Sequence, residues 1–162
     1  MKSMVKKRKI KKNKKKQKNT SLLLLSVVII AGAGIYFLLG DSNEELPGNI
    51  RLPDYAYKSE RVLTAYKVAV AYPEIGKAVP CYCGCRDVRN AQFPTGHKNL
   101  YNCFMDDLGR FTSHGANCFI CVDEMLESYE MYKKGYSLRE IRAAIDGKYA
   151  GRYADPTPTP WP

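Results

Sequence analysis

The chain has 162 residues and a formal net charge of +10, a length that suits one modest domain with appendages. Residues 1–20 hold eleven Lys or Arg and no acid, and removing those eleven charges from +10 leaves residues 21–162 at −1. The basicity therefore belongs to a tail and not to a basic face on a folded domain, which sets nucleic-acid binding aside.

Residues 21–40 read SLLLLSVVIIAGAGIYFLLG, twenty residues without a charge. As a helix they would span about 30 Å, the thickness of a bilayer's hydrocarbon core. The lysine run before them should stay in the cytoplasm. The expected arrangement is a single-pass anchor in the cell membrane, with residues 41–162 extracytoplasmic. A cleaved signal peptide is the competing reading, because Ala31-Gly32-Ala33 resembles a cleavage site. Against it, the apolar run continues through Ile35 to Leu39. No cysteine precedes Cys81, so a lipidated cysteine just after the apolar run is ruled out.

Residues 41–53, with Pro47-Gly48 and Pro53, read as a linker. A helix is predicted from Ser59, with Glu60 in its first turn and Val62, Tyr66, Ala69 and Tyr72 on one face. Pro73 should break it, and irregular backbone should run through Gly76 and Pro80. Cys81 to Gly96 is predicted to be a loop, Asn99 to Leu108 a short helix carrying Cys103 and Phe104, and Gly109 to Asn117 a loop. A longer helix is predicted from Asn117 to Lys134, because Cys118, Val122, Met125, Tyr129 and Tyr132 share a face. Gly135 suits its C-terminal cap. Ser137 and Glu140 suit a capping box, opening a helix whose buried stripe is Leu138, Ile141, Ile145 and Tyr149. Residues 155–162, DPTPTPWP, read as an extended, loose tail ending near Trp161. The fold class is mainly α: one N-terminal transmembrane helix, then a small helical domain over 54–153 with a Cys/His-rich loop region, then a proline-rich tail over 154–162. Met125 and the tyrosines are read as core.

All six cysteines, Cys81, Cys83, Cys85, Cys103, Cys118 and Cys121, lie between Pro80 and Cys121, and so do both histidines, His97 and His114. Three uses compete. Thiolates and imidazoles favour soft ions such as zinc or copper(I). Gly84 lets the backbone curl so that Cys83 and Cys85 can face one centre. Cys118-x-x-Cys121 can present two sulfurs from the first turn of a helix, whose dipole favours thiolates. Six Cys and two His could fill two four-coordinate sites, or one with ligands to spare. Cys83, Cys85, Cys118 and Cys121 are the foremost ligands, followed by Cys81, Cys103, His97 and His114. The second use is structural disulfides, which suit an extracytoplasmic domain with an even cysteine count. The third is thiol–disulfide exchange at Cys118 and Cys121, with a lowered thiol pKa at the helix start. No residue is assigned a catalytic role.

Pro80-Cys-Tyr-Cys-Gly-Cys85, Gly96-His97, Asn102-Cys-Phe104, His114-Gly115, Cys118-x-x-Cys121-Val-Asp and the Gly-x-Ser-x-x-Glu-Ile-Arg run from Gly135 to Arg142 resemble the PCYCGC-motif proteins. The resemblance covers about residues 55–150. It implies a secreted or membrane-anchored cysteine-rich domain that binds metal. This chain lacks the lipidated cysteine common in that family, so its apolar helix should serve as the anchor. A fainter similarity, limited to Cys118 to Tyr149, is to the cytochrome c maturation thiol-reductases, and it favours the redox use. The leading expectation is an anchored extracytoplasmic domain holding a transition metal ion, zinc or copper, in a structural or transfer role. Thiol exchange and a disulfide-stapled module are the alternatives.

Overall fold

The computed structural model describes residues 48–162. The basic tail, the predicted membrane span and most of the linker lie outside the described residues. Within them, no helix is long and apolar enough to cross a membrane.

Four helices form the frame: α1 (Glu60–Ala71), α2 (Pro73–Ala78), α3 (Phe119–Lys133) and α4 (Leu138–Tyr149). Among the described residues there is no strand, only an isolated bridge between Met105 and Phe111. Ser59 caps α1, its Oγ accepting the Val62 N–H at 3.3 Å. Tyr66 and Ala69 on the predicted face are fully buried, and Val62 is partly so. Pro73 does end α1, but the backbone beyond it is not irregular. Proline is tolerated at a helix's first position, where its missing N–H would have had no partner, and Pro73 starts α2 there. Gly76 lies within α2. A Cβ at Gly76 would sit 3.0 Å from the Tyr101 Cα and from the Met125 Cε, so only glycine lets α2 press this closely on α3 and the 100–103 turn.

The second half follows local sequence signals. α3 ends in a Schellman motif: the Gly135 N–H donates to the Tyr132 carbonyl at 2.9 Å and the Tyr136 N–H to the Met131 carbonyl at 3.2 Å, with Gly135 at φ +83°. Ser137 and Glu140 form the reciprocal capping box of α4. α3 packs on α1, α2 and α4. Its buried Val122, Met125 and Tyr129 join Tyr66, Ile75, Phe104, Ile141 and Ile145 in one core.

The predicted helix over Asn99 to Leu108 shrinks to a 3-10 turn, Leu100–Cys103. The carbonyls that would extend it are taken by other partners. Thr112 Oγ1 donates to the Cys103 carbonyl at 2.7 Å, the Thr112 N–H to the Phe104 carbonyl at 2.9 Å, and the Asn102 side-chain amide to the Met105 carbonyl at 3.3 Å.

The proline-rich segment is not loose. Thr157 and Thr159 are buried. The Cys81 N–H donates to Thr157 Oγ1 at 2.9 Å, and the Thr157 N–H donates back to the Cys81 carbonyl at 3.1 Å. Thr159 Oγ1 donates to the Lys98 carbonyl at 2.7 Å. Arg142 Nη1 donates to the Thr159 and Pro160 carbonyls at 3.0 and 3.2 Å, and the guanidinium lies 4.8 Å from the Trp161 ring. Residues 154–162 are thus a strap laid across the first cysteine. Thr157→Val is expected to leave the Cys81 N–H buried without an acceptor and to cost about 1–3 kcal/mol. Thr157→Ser should restore the bond. An unchanged urea midpoint in the valine variant would show that the strap does not hold Cys81.

Candidate metal centre

Four short backbone devices bring the soft side chains together. Gly84, at φ +87°, turns the chain between Cys83 and Cys85, which opens the 3-10 turn Cys85–Asp87. The 3-10 turn Leu100–Cys103, capped by the Asn99 side chain, delivers Cys103. The turn Gly115–Asn117 follows His114 and leads to Cys118, the N-cap of α3. Tyr66 fixes that loop from below, donating its hydroxyl proton to the Thr112 carbonyl at 2.5 Å and accepting the Ala116 N–H at 3.2 Å. Cys121 comes from the first turn of α3.

The sulfurs converge. Cys81 Sγ lies 3.3 Å from Cys83 Sγ and 3.5 Å from Cys121 Sγ, and Cys83 lies 3.4 Å from Cys121. Cys85 and Cys103 lie 3.7 Å apart. His114 Nε2 is 3.5 Å from Cys83 Sγ, and His97 Nδ1 is 3.6 Å from Cys103 Sγ. The two imidazole rings are 4.9 Å apart. All six thiols are free. Cys83 has several sulfur neighbours at similar range, as a ligand shell does and a disulfide pair does not. Around a tetrahedral zinc with 2.3 Å bonds, neighbouring sulfurs stand about 3.8 Å apart. The packing here is close to that spacing. Two groups have ligand atoms mutually close enough to share an ion: Cys81, Cys83, Cys85 and Cys103; and Cys83, Cys118 and Cys121. Every sequence-predicted site residue therefore lies in or beside the cluster.

The electrostatics correct one expectation. The lowered thiol is not on the α3 start. Cys118 accepts a favourable hydrogen bond from Cys121, but the neighbouring Cys83 and burial outweigh it and push its pKa up to about 11. The Cys83 thiol instead falls well below its ordinary value, because Cys103, Cys118, Cys121 and Cys81 all hydrogen-bond to its thiolate. Cys103, fully buried, is raised by desolvation and by its sulfur neighbours. Hydrogen bonds from the surrounding thiols thus favour the thiolate at Cys83 over its neighbours. Burial, reinforced by the nearby His114, lowers His97 to about 4, so its imidazole is neutral at pH 7 and able to ligate.

A family profile described as a protein of unknown function with PCYCGC motif matches residues 36–162. The chain belongs to that family. The match extends past both ends of the 55–150 resemblance, and it takes in the strap. No curated protein and no solved structure matches the chain. In this PCYCGC protein the motif supplies three of the six clustered sulfurs, Cys81, Cys83 and Cys85, while Tyr82 points the other way. Tyr82 stacks on Tyr149, 6.2 Å between centroids, and its hydroxyl donates to Asp146 Oδ1 at 2.7 Å.

One residue beside the PCYCGC motif escapes the sequence reading. Glu124 is fully buried one turn after Cys121. Its Oε1 accepts the Tyr82 N–H at 3.0 Å, while Oε2 has no hydrogen-bond partner. Burial is the main cause that pushes its pKa up to about 9, the Tyr82 N–H and the neighbouring Cys81 thiol opposing it only in part. The signal was available: Glu124 shares a helical face with Cys121 and Ser128, where an acid interrupts a buried stripe.

Proposed function

We propose that this protein is a membrane-anchored, extracytoplasmic domain that binds a soft metal ion, zinc or copper(I), through its cysteine cluster. The observation that supports it is the convergence of six free thiols and two imidazole nitrogens on one region, at the spacing of ligands around shared ions. The donor set suits such ions: thiolate sulfur with neutral imidazole, largely enclosed. Cys81, Cys83, Cys85, Cys103, Cys118 and Cys121 would hold the metal, with His97 and His114 at the edge of the shell. A bound ion supplies a crosslink between the loop that carries the motif and α3, and a small helical domain gains stability from such a staple. The anchor rests on the uncharged run over residues 21–40 and the lysines before it.

The test is metal analysis combined with thiol titration on full chain purified without added metal. At least one equivalent of zinc or copper is expected, with thiols that become titratable only after a chelator is added. Chelation is expected to lower the thermal midpoint by roughly 10 °C or more, since an ion bound only to the native state stabilises it by mass action. Less than a third of an equivalent, with no free thiols, would overturn the reading in favour of a disulfide-stapled module. Thiol exchange at Cys118 is disfavoured by its raised pKa, since the thiolate is the attacking form.

A further inference from the structure

Resting on that reading, we propose that the cluster holds two ions bridged by the Cys83 thiolate, an inner ion that is retained and an outer ion that exchanges. The two groups of close ligand atoms have one residue in common, Cys83. It lies at their junction, 3.3 Å from Cys81 and 3.4 Å from Cys121. A thiolate sulfur has lone pairs enough to join two soft ions. Six thiolates around a single divalent ion would leave a buried charge of −4, whereas two ions halve it, and unpaired buried charge is costly.

The two positions differ in exposure. The inner one draws on Cys81, Cys85 and Cys103, all buried, and its backbone at Cys81 is held by Thr157. The outer one draws on Cys118 and Cys121, and His114 Nε2 faces the shared sulfur at 3.5 Å. Cys83, His114 and Cys118 are each only partly buried. A cavity of 340 Å³, lined among others by Val62, Ala116, Phe119 and Val122, opens at Cys118, and Phe119 beside it is 70 % exposed. An incoming thiol or chelator can reach the outer ion there and replace protein sulfurs one at a time. No redox change is needed: as an ion enters, the thiols it binds release their protons to solvent, and as it leaves they take them back.

Cadmium-113 is the probe, added to reduced, metal-free full chain in detergent. Two cadmium ions per chain by native mass spectrometry are expected, with two 113Cd resonances that split each other through the shared sulfur. EDTA should remove one ion quickly and the other at least tenfold more slowly. Cys118→Ser should weaken the fast ion and keep the slow one; Cys83→Ser should abolish the splitting. If Cys83→Ser fails to fold, the splitting in the unaltered protein still decides. Saturation at one ion, two unsplit resonances, or loss of both ions in one phase would overturn the proposal while leaving metal binding intact. A chain that takes up no cadmium would overturn metal binding itself.

Discussion

Glu124→Gln is expected to stabilise the metal-free domain by an amount that grows with pH. In the unfolded chain this carboxyl ionises near 4.5, whereas in the fold it stays protonated until about 9. The folded state therefore holds one more proton than the unfolded state across that window. Its contribution to stability is complete below pH 4.5 and is lost as the pH rises toward 9. By pH 9 the unaltered protein should have lost about 3–5 kcal/mol that the glutamine variant keeps. At pH 4.5 the two should agree within about 1 kcal/mol, since glutamine retains an acceptor for the Tyr82 N–H. Urea unfolding of both proteins, under reductant and chelator, at pH 5, 7 and 9 measures this. The thiols titrate in both proteins, and only their coupling to Glu124, through Cys81 and Cys83, survives in the difference. A gap that stays constant with pH would show that Glu124 is ionised in the fold.

Gly96→Ala is expected to be the most damaging glycine-to-alanine substitution among the described residues. Gly96 sits at φ +81°, and a Cβ there would stand 1.8 Å from the Arg86 carbonyl oxygen, which is backbone and cannot turn away. The 93–97 turn lies directly over the Cys85–Asp87 turn, where the His97 N–H donates to the Cys85 carbonyl at 3.3 Å. Separating them carries His97 away from Cys103 and from His114. The expected cost is roughly 3–5 kcal/mol, the left-handed conformation adding about 1–2 kcal/mol to the clash. Gly109→Ala isolates the first contribution: φ there is +75°, but nothing lies within 4 Å. Its cost should stay near 1–2 kcal/mol. Equal midpoints for the two variants in urea would show that the Arg86 contact yields at little cost.

What the sequence conveyed well is what short range decides. Ser59, Ser137 with Glu140, and Gly135 act on backbone groups within a turn of themselves, so α1, α4 and the end of α3 were readable from neighbours alone. The clustering of Cys and His was equally plain, and the fold gathers all eight residues. Three features depended on distant partners. Pro73 reads as a breaker, but it is also a permitted first residue, and whether a new helix follows depends on Gly76 fitting against Tyr101 and Met125. The 100–103 turn is short because Thr112, nine residues on, takes the Cys103 carbonyl. Residues 155–162 have the composition of a free tail, and only Cys81, Lys98 and Arg142 give them a place. The lowered thiol pKa expected at Cys118 is absent for a related reason. A helix start lowers a lone thiol's pKa, but Cys118 has Cys83 beside it, and the crowd of thiols places the negative charge on Cys83 instead.

The strap sets an order of events during synthesis. Thr157 follows the last cysteine, Cys121, by the remainder of α3 and the whole of α4. As the chain grows from its N-terminus, all six cysteines are made before the residue that seats the Cys81 backbone. During that interval the Cys81 N–H and carbonyl lack the Thr157 partners they have in the fold. The Cys81 backbone therefore gains its seat only when the C-terminal residues dock, after every candidate ligand of the cluster has been made.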